Sequence, residues 1–481
     1  MNTSKLQAFA TDARRQLMNA VGARLDAALT PNSNAQVDDP RAFAFLKREI
    51  EQAGDGEQGR KHVVERYAYR WFNRIIAFRY MDVHGFTGTP VVSPADLTST
   101  NGLPEVLAAA KRGEYDDNTV FSLRVNDKAK ERIEGLLSGS IMADDPQGLA
   151  YGLLLQSECR YWNHNLPFMF ESIGKEAGRV DELLMPADLL AEGSVLRNAV
   201  EAMTPEDCGV DDPSGNVEII GWLYQYYISE RKDEVMDGFK KHHKAGANEI
   251  PAATQLFTPD WIVRYLVQNT VGRLWVQSHP DCQLSKNWEY YIQPSEDDSA
   301  GTEDILRIQT PEDLTVCDPA CGSGHMLTYA FDLLYEIYED EGYAPSDIPG
   351  LILKHNLYGM EIDERAASLA AFALTMKARS RSRRFFRKQV EPNIQRIAPI
   401  AFTEGEVAEL NDLYQVNLDS AVWNTYAKAD VYGSLIQPSQ ELADLAASMP
   451  EDEDSVSTLF DPLLRGRAEE VFTQTKYLAC K

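Results

Sequence analysis

The sequence predicts an α/β protein in which a mostly helical N-terminal domain precedes a smaller α/β domain, and three observations predict it. Leu314, Val316 and Cys317 are followed at once by Pro319, Gly322 and Gly324, and then by apolar residues at helical spacing from Met326 to Tyr338. A buried strand, a tight turn and a helix therefore follow one another. Leu357-Tyr358-Gly359-Met360-Glu361-Ile362-Asp363 reads as a second strand ending in acids, ahead of an Ala-rich helix. The third observation is that two long helical stretches, residues 1–30 and 60–81, are followed over residues 82–215 by short helical runs alternating with Pro, Gly and Asp breaks. The expected domains are 1–215, mostly helical; 216–300, a helical connector; and 301–481, the α/β domain.

The 481 residues are enough for two to four domains with real cores, and 44% hydrophobic with 25% charged residues is ordinary for a globular chain. The net charge of −27 is not ordinary. It repels nucleic acid over most of the surface, so any such binding needs a local basic patch or further segments. Six scattered cysteines give no disulfide framework and the start, Met1 to Leu6, has no apolar signal core, so a cytoplasmic location is expected. No run of about 18 apolar residues is present, so no membrane helix is expected.

In chain order, residues 1–30 form one amphipathic helix, with Leu6, Phe9, Ala10, Leu17, Val21 and Leu25 on its apolar face. Pro31 to Pro40 breaks it, and Asp55 to Gly59 makes another loop. Arg60 to Met81 is a dense helix that interleaves Arg66, Arg70, Arg74 and Arg79 with aromatic and apolar residues. That mixture suits nucleic-acid stacking, or more plainly a core helix whose arginines sit on the wet face. Cys159 should be buried, and Asp181-Glu182 suits the start of a short helix. Ile219 to Tyr227 is an aromatic core helix. Thr258 can cap a helix in which Pro259 takes the first position. Asp297 to Asp304 and Glu451 to Asp454 read as acidic loops. Pro392 to Ile400 reads as a third strand, Arg465 to Thr475 as a helix, and Tyr477 to Cys480 as a strand start.

The turn carries the chemistry. Small residues let a backbone approach a ligand closely, and the helix that follows offers free N–H groups to it. Asp318-Pro319-Ala320-Cys321-Gly322-Ser323-Gly324 resembles motif I of amino-type DNA methyltransferases, the S-adenosylmethionine loop of a Rossmann-like domain. Phe257-Thr258-Pro259, some sixty residues earlier, resembles motif X, which closes over the methionine end of the cofactor. The order X then I is that of the gamma class of N6-adenine DNA methyltransferases. The resemblance implies that Asp318, Pro319, Ala320, Gly322 and Gly324 cradle the cofactor, that Glu361 binds its ribose and that Ile362 packs on its adenine. Asp363 reads better as a helix cap. Cys317, Cys321 and His325 lack a fourth ligand at zinc spacing, so no metal is expected, and His325 is read as a helix-start residue.

Lys377 to Lys388 places seven cations in twelve residues. Arg379, Arg381, Arg383 and Arg384 are candidate DNA contacts; cations favoured at a helix C-terminus are the equal alternative. Adenine methylation also needs motif IV, an Asn or Asp, two prolines and an aromatic, which accepts the N6 hydrogens and stacks the base. No such string occurs here, so no catalytic residue is assigned and the α/β domain is read as truncated before motif IV. Across nearly its whole length the chain resembles the site-specific adenine methyltransferases of bacterial BREX phage-defence systems. That resemblance implies S-adenosylmethionine, double-stranded DNA and partner proteins of a defence complex. The alternative is a catalytically silent scaffold of the same complex.

Overall fold

The apolar stripe of the first thirty residues folds as one helix, Thr3–Leu29, and Leu6, Phe9, Ala10, Leu17, Val21 and Leu25 are all buried on it. The computed structural model describes residues 3–54, 56–114, 125–170, 176–211, 215–240, 244, 246, 249–254, 258–293, 306–449 and 462–479. They are mostly helical with one small parallel sheet, so the α/β class holds. The chain divides into two compact units, 1–230 with 375–389, and 231–374 with 390–481. Among the described residues no helix is long and apolar enough to cross a membrane.

The first unit is built around the helix Gly56–Val83. It starts at Gly56, inside the span 55–59 expected as a loop. The expected break at 31–40 holds a short helix, Asn34–Asp38, because the Ser33 side chain accepts from the Gln36 amide. From Trp71 to Val83 every residue of the long helix is buried. A wet face for the arginines therefore fails at Arg74 and Arg79. Arg74 Nη2 donates to Asp181 at 2.8 Å, and Arg79 donates to the carbonyls of Met203 at 2.9 Å and Val200 at 3.3 Å and to Ser93 Oγ at 2.9 Å. These buried guanidiniums are spent on internal partners and offer nothing to nucleic acid. Asp181 does not open a helix either. It lies near the end of Glu176–Leu183, with its side chain buried against Arg74. Cys159 is half-buried rather than buried. The aromatic helix Glu218–Tyr227 is core as expected; Tyr227 sits 4.9 Å from Tyr69 and 4.5 Å from Phe72, ring centre to ring centre.

In the second unit β1 (Val316–Asp318), β2 (Leu357–Glu361) and β3 (Asn393–Arg396) run parallel in that order, with Asp318 beside Gly359 and Glu361 beside Arg396. Parallel neighbours need a crossover, and the helices His325–Asp340 and Glu364–Arg381 lie between the strands in the chain. β1 lies at one edge of this sheet, and Cys317 on it is exposed where a buried strand was expected. Asn356, fully buried, fixes the entry to the sheet: its amide donates to the carbonyls of Pro311 at 2.7 Å and Leu314 at 2.8 Å, and it accepts from Tyr338 at 2.9 Å. Ile397, Phe402, Trp423 and Phe472 anchor a core cluster beyond β3. The last helix, Pro462–Ala479, overrules the strand expected from Tyr477. From that helix the Tyr477 hydroxyl reaches the carbonyls of Gly359 at 3.0 Å and Asn393 at 2.7 Å. The acidic spans 297–304 and 451–454 lie outside the described residues.

Candidate functional site

β1 ends at Asp318, whose carboxylate accepts from the Ala320 amide at 3.1 Å and so turns the chain sharply over exposed Pro319 and Ala320. The Cys321 amide then donates to the Met360 carbonyl at 2.9 Å, which pins the turn to β2. Gly322 and Gly324 take left-handed φ of +55° and +84°. A side chain at Gly322 would meet nothing within 4 Å, so the backbone there faces open space. Gly324 is different: a Cβ would lie 3.0 Å from the Ala370 Cβ, so this glycine admits the helix Glu364–Arg381. His325 begins the helix His325–Asp340, as read from the sequence.

Across the turn stands Glu361, at the end of β2 and almost fully buried. One carboxylate oxygen accepts from the Gly322 amide at 2.8 Å. The other accepts from the amides of Ile362 and Asp363, both at 2.9 Å. Burial pushes its pKa up from the ordinary glutamate value, the three amides pulling against that, and burial likewise raises the pKa of Asp318. A carboxylate has about four lone-pair positions. Three are taken, which leaves one for a hydroxyl donor. Asp363 acts as a cap: it accepts from the Arg365 amide at 2.9 Å and holds the Arg365 guanidinium through two more bonds at 2.8 Å. Ile362 is half-buried beside Gly433, where an added Cβ would stand 3.1 Å away.

The structure thus brings Asp318, Gly322 and Glu361 together at the ends of β1 and β2. Phe257 lies outside the described residues. Thr258 does not cap. Pro259 takes an extended ψ of 139° and itself occupies the capping position of the helix Asp260–Val267, with no side-chain bond. That helix packs on His325–Asp340, and just beyond it Gln268 donates to the Tyr329 hydroxyl at 2.6 Å. Of the basic candidates, Arg383 and Arg384 are exposed, whereas Arg379 lies over the rings of Phe86 at 4.6 Å and Phe386 at 5.6 Å, and Arg381 is half-buried. Sequence reasoning missed Gly359, where a Cβ would come within 3.0 Å of Ile394, Leu327 and Cys321 at once. A glycine inside a strand was the available signal.

No protein-family model matches the chain. Curated relatives do, and they share one class: this chain is homologous, over most of its length, to adenine-specific methyltransferases. It is 36% identical over 488 aligned positions to the adenine-specific methyltransferase BrxX of Escherichia coli O9:H4 (strain HS), covering 92% of this chain and 38% of that protein. It is 37% identical over 343 positions to the adenine-specific methyltransferase PglX of Lacticaseibacillus casei (strain Zhang), covering 69% of this chain and 27% of that protein. The chain therefore spans well under half the length of the relatives it matches.

Proposed function

We propose that this chain is the cofactor-binding part of a site-specific adenine N6 DNA methyltransferase that uses S-adenosylmethionine and serves a bacterial phage-defence system of the BREX kind. The observation that carries it is the bond from the Gly322 amide to Glu361, which joins the glycine turn to the acid of the second strand in a homologue of adenine-specific methyltransferases. The residues fit such a cofactor. Glu361 keeps an acceptor position for a ribose hydroxyl, Gly322 leaves space over its backbone, and Ile362 offers an apolar edge beside the acid.

The cofactor supplies an electrophilic sulfonium methyl when bound. Asp318 and Glu361 place two acceptors at the ends of adjacent strands, and both are sheltered enough for their hydrogen bonds to be stronger than in water. The Gly322 amide ties the turn to Glu361 of the second strand, and Gly324 admits the helix that follows that strand, so the turn is already braced against both. Phe257, Thr258 and Pro259 are assigned to the methionine end by the motif they resemble. Double-stranded DNA and other proteins of a defence complex are the partners of this reading, and a cytoplasmic location goes with it.

A second reading rests on one observation, the lack of an Asn/Asp-Pro-Pro-aromatic string in the 481 residues. Under it the chain is a catalytically silent cofactor-binding or protein-interaction scaffold of the same complex. Calorimetric titration with S-adenosylmethionine of the wild type, Asp318→Ala and Glu361→Ala tests the site; unchanged affinity in both variants overturns the assignment. Methyl transfer to duplex DNA from radiolabelled cofactor separates the readings, since a scaffold transfers none.

A further inference from the structure

We propose that the turn at residues 383–388 is a contact surface for the phosphate backbone of duplex DNA, because four exposed cations stand there on a rigid aromatic mount beyond the end of a helix. The inference rests on the reading of duplex DNA as the substrate and assigns to a separate surface a part of the binding that the cofactor site does not supply.

The structure sorts the basic stretch into two sets. Lys377, Arg379 and Arg381 belong to the helix Glu364–Arg381 and are buried or half-buried. Arg383, Arg384, Arg387 and Lys388 are exposed. The attraction of cations to a helix C-terminus falls off within the last turn, and this helix ends at Arg381. Helix-end electrostatics therefore accounts for Arg379 and Arg381, the basic residues of the last turn, and leaves the second set unexplained. Arg383, Arg384 and Arg387 make no ion pair among the described residues, although acidic residues outnumber basic ones by 74 to 47 in the chain.

The second set is held in place. The Ser382 amide donates to Ala378 at 3.0 Å, Phe385 to Ser382 at 3.0 Å, Arg387 to Arg384 at 3.0 Å and Lys388 to Phe385 at 2.9 Å. Phe385 is buried, and Phe386 meets Trp162 edge to face at 5.3 Å. Gln389, at a left-handed φ of +49°, contacts the ring of exposed His164 at 2.6 Å. Like charges crowded on a fixed backbone repel one another, and a polyanion relieves that repulsion without first having to order the segment. On a chain of net charge −27, such a patch is a place where DNA can approach.

Fluorescence anisotropy of a labelled duplex of arbitrary sequence, bound by the full chain over a range of salt, tests this. R383Q/R384Q should bind at least about tenfold more weakly at low salt. Its plot of log affinity against log salt should be shallower by roughly 2, at about 0.9 for each phosphate that is no longer neutralised. R387Q/K388Q should behave alike and serves if the first pair fails to fold, as judged by circular dichroism. Affinity and slope equal to wild type in both pairs overturns the proposal, as does a wild type that does not bind duplex. Cofactor titration of the same variants should match wild type. A wild type that binds duplex but no cofactor counts against the cofactor site and leaves the patch supported.

Discussion

The Gly322 amide donates to Glu361 at 2.8 Å across 39 residues of chain, so the acid of the second strand builds the glycine turn before any ligand arrives. This gives Glu361→Gln a distinctive outcome. With its oxygen on the Ile362 and Asp363 amides, the new amide group would point a donor at the Gly322 donor. An unsatisfied buried pair of this kind costs about 1–3 kcal/mol. The variant should therefore melt several degrees lower without cofactor and bind S-adenosylmethionine at least about tenfold more weakly. A ribose-binding role alone would leave the melting temperature unchanged, so differential scanning fluorimetry of the unliganded protein decides between them.

Glu361 also sets a pH dependence. Its pKa is raised in the folded protein, chiefly by burial. A group raised on folding contributes stability that is fully present below its unfolded value and lost as pH rises through the folded value. Cofactor affinity should run the other way, because a protonated acid loses acceptor strength. Calorimetric affinity should start to fall above the ordinary glutamate value of 4.5 as pH is lowered from neutrality. Glu361→Ala should flatten that limb, leaving a smaller component from Asp318, which is also raised.

The two glycines of the turn should separate stability from binding. An alanine at Gly324 combines a φ of +84° with a Cβ 3.0 Å from Ala370, and left-handed backbone alone costs about 1–2 kcal/mol. Gly324→Ala should lose at least about 2 kcal/mol in urea unfolding. Gly322→Ala meets open space and should lose about 1 kcal/mol. Its methyl group stands where a ligand would approach, so its larger effect should be on cofactor affinity. The reverse pattern would mean that the open side of Gly322 is not the binding side.

What the sequence made legible was whatever depends on neighbours in the chain. The run from Asp318 to Gly324 names its own turn, and the first helix names its buried face, because both are local patterns. Arg74 and Asp181 were misread because they meet across 107 residues, and no window holds both. Thr258 was misread because a threonine before a proline suits a cap one residue earlier than the helix in fact begins. Tyr477 looked like the start of a strand since its neighbours are apolar, whereas its hydroxyl bonds to two strands already present. Glu361 was named as a ribose ligand by resemblance, and its three amide partners, one of them 39 residues away, were visible only in three dimensions.

The Tyr477 hydroxyl has one proton for two carbonyls, those of Gly359 and Asn393. Tyr477→Phe keeps the ring and removes the only donor it brings. The loss should be about 1 kcal/mol. Amide hydrogen exchange should rise in β2 and β3 while the first unit is unaffected. Equal exchange in both strands would show that the hydroxyl bears no part of the sheet's stability.

Asp181 faces two guanidiniums in the first unit, Arg74 at 2.8 Å and Arg70 at 3.8 Å. Arg74 and Asp181 are both nearly inaccessible to water, whereas Arg70 is partly exposed. Removing one member of a buried pair strands the other, at about 3–5 kcal/mol. The losses should be unequal. Asp181→Ala takes the counter-charge from Arg74, which has no water to turn to. Arg74→Met leaves Asp181 with Arg70 still near and fills the vacated volume with an apolar chain. Urea denaturation should therefore place Asp181→Ala at or above the top of that range and Arg74→Met below it. Asp181→Leu combined with Arg74→Met should recover much of the loss, since an apolar pair of similar volume carries no desolvation cost. A double variant no more stable than Asp181→Ala would show that the pair is needed for its geometry and not merely for its mutual neutralisation.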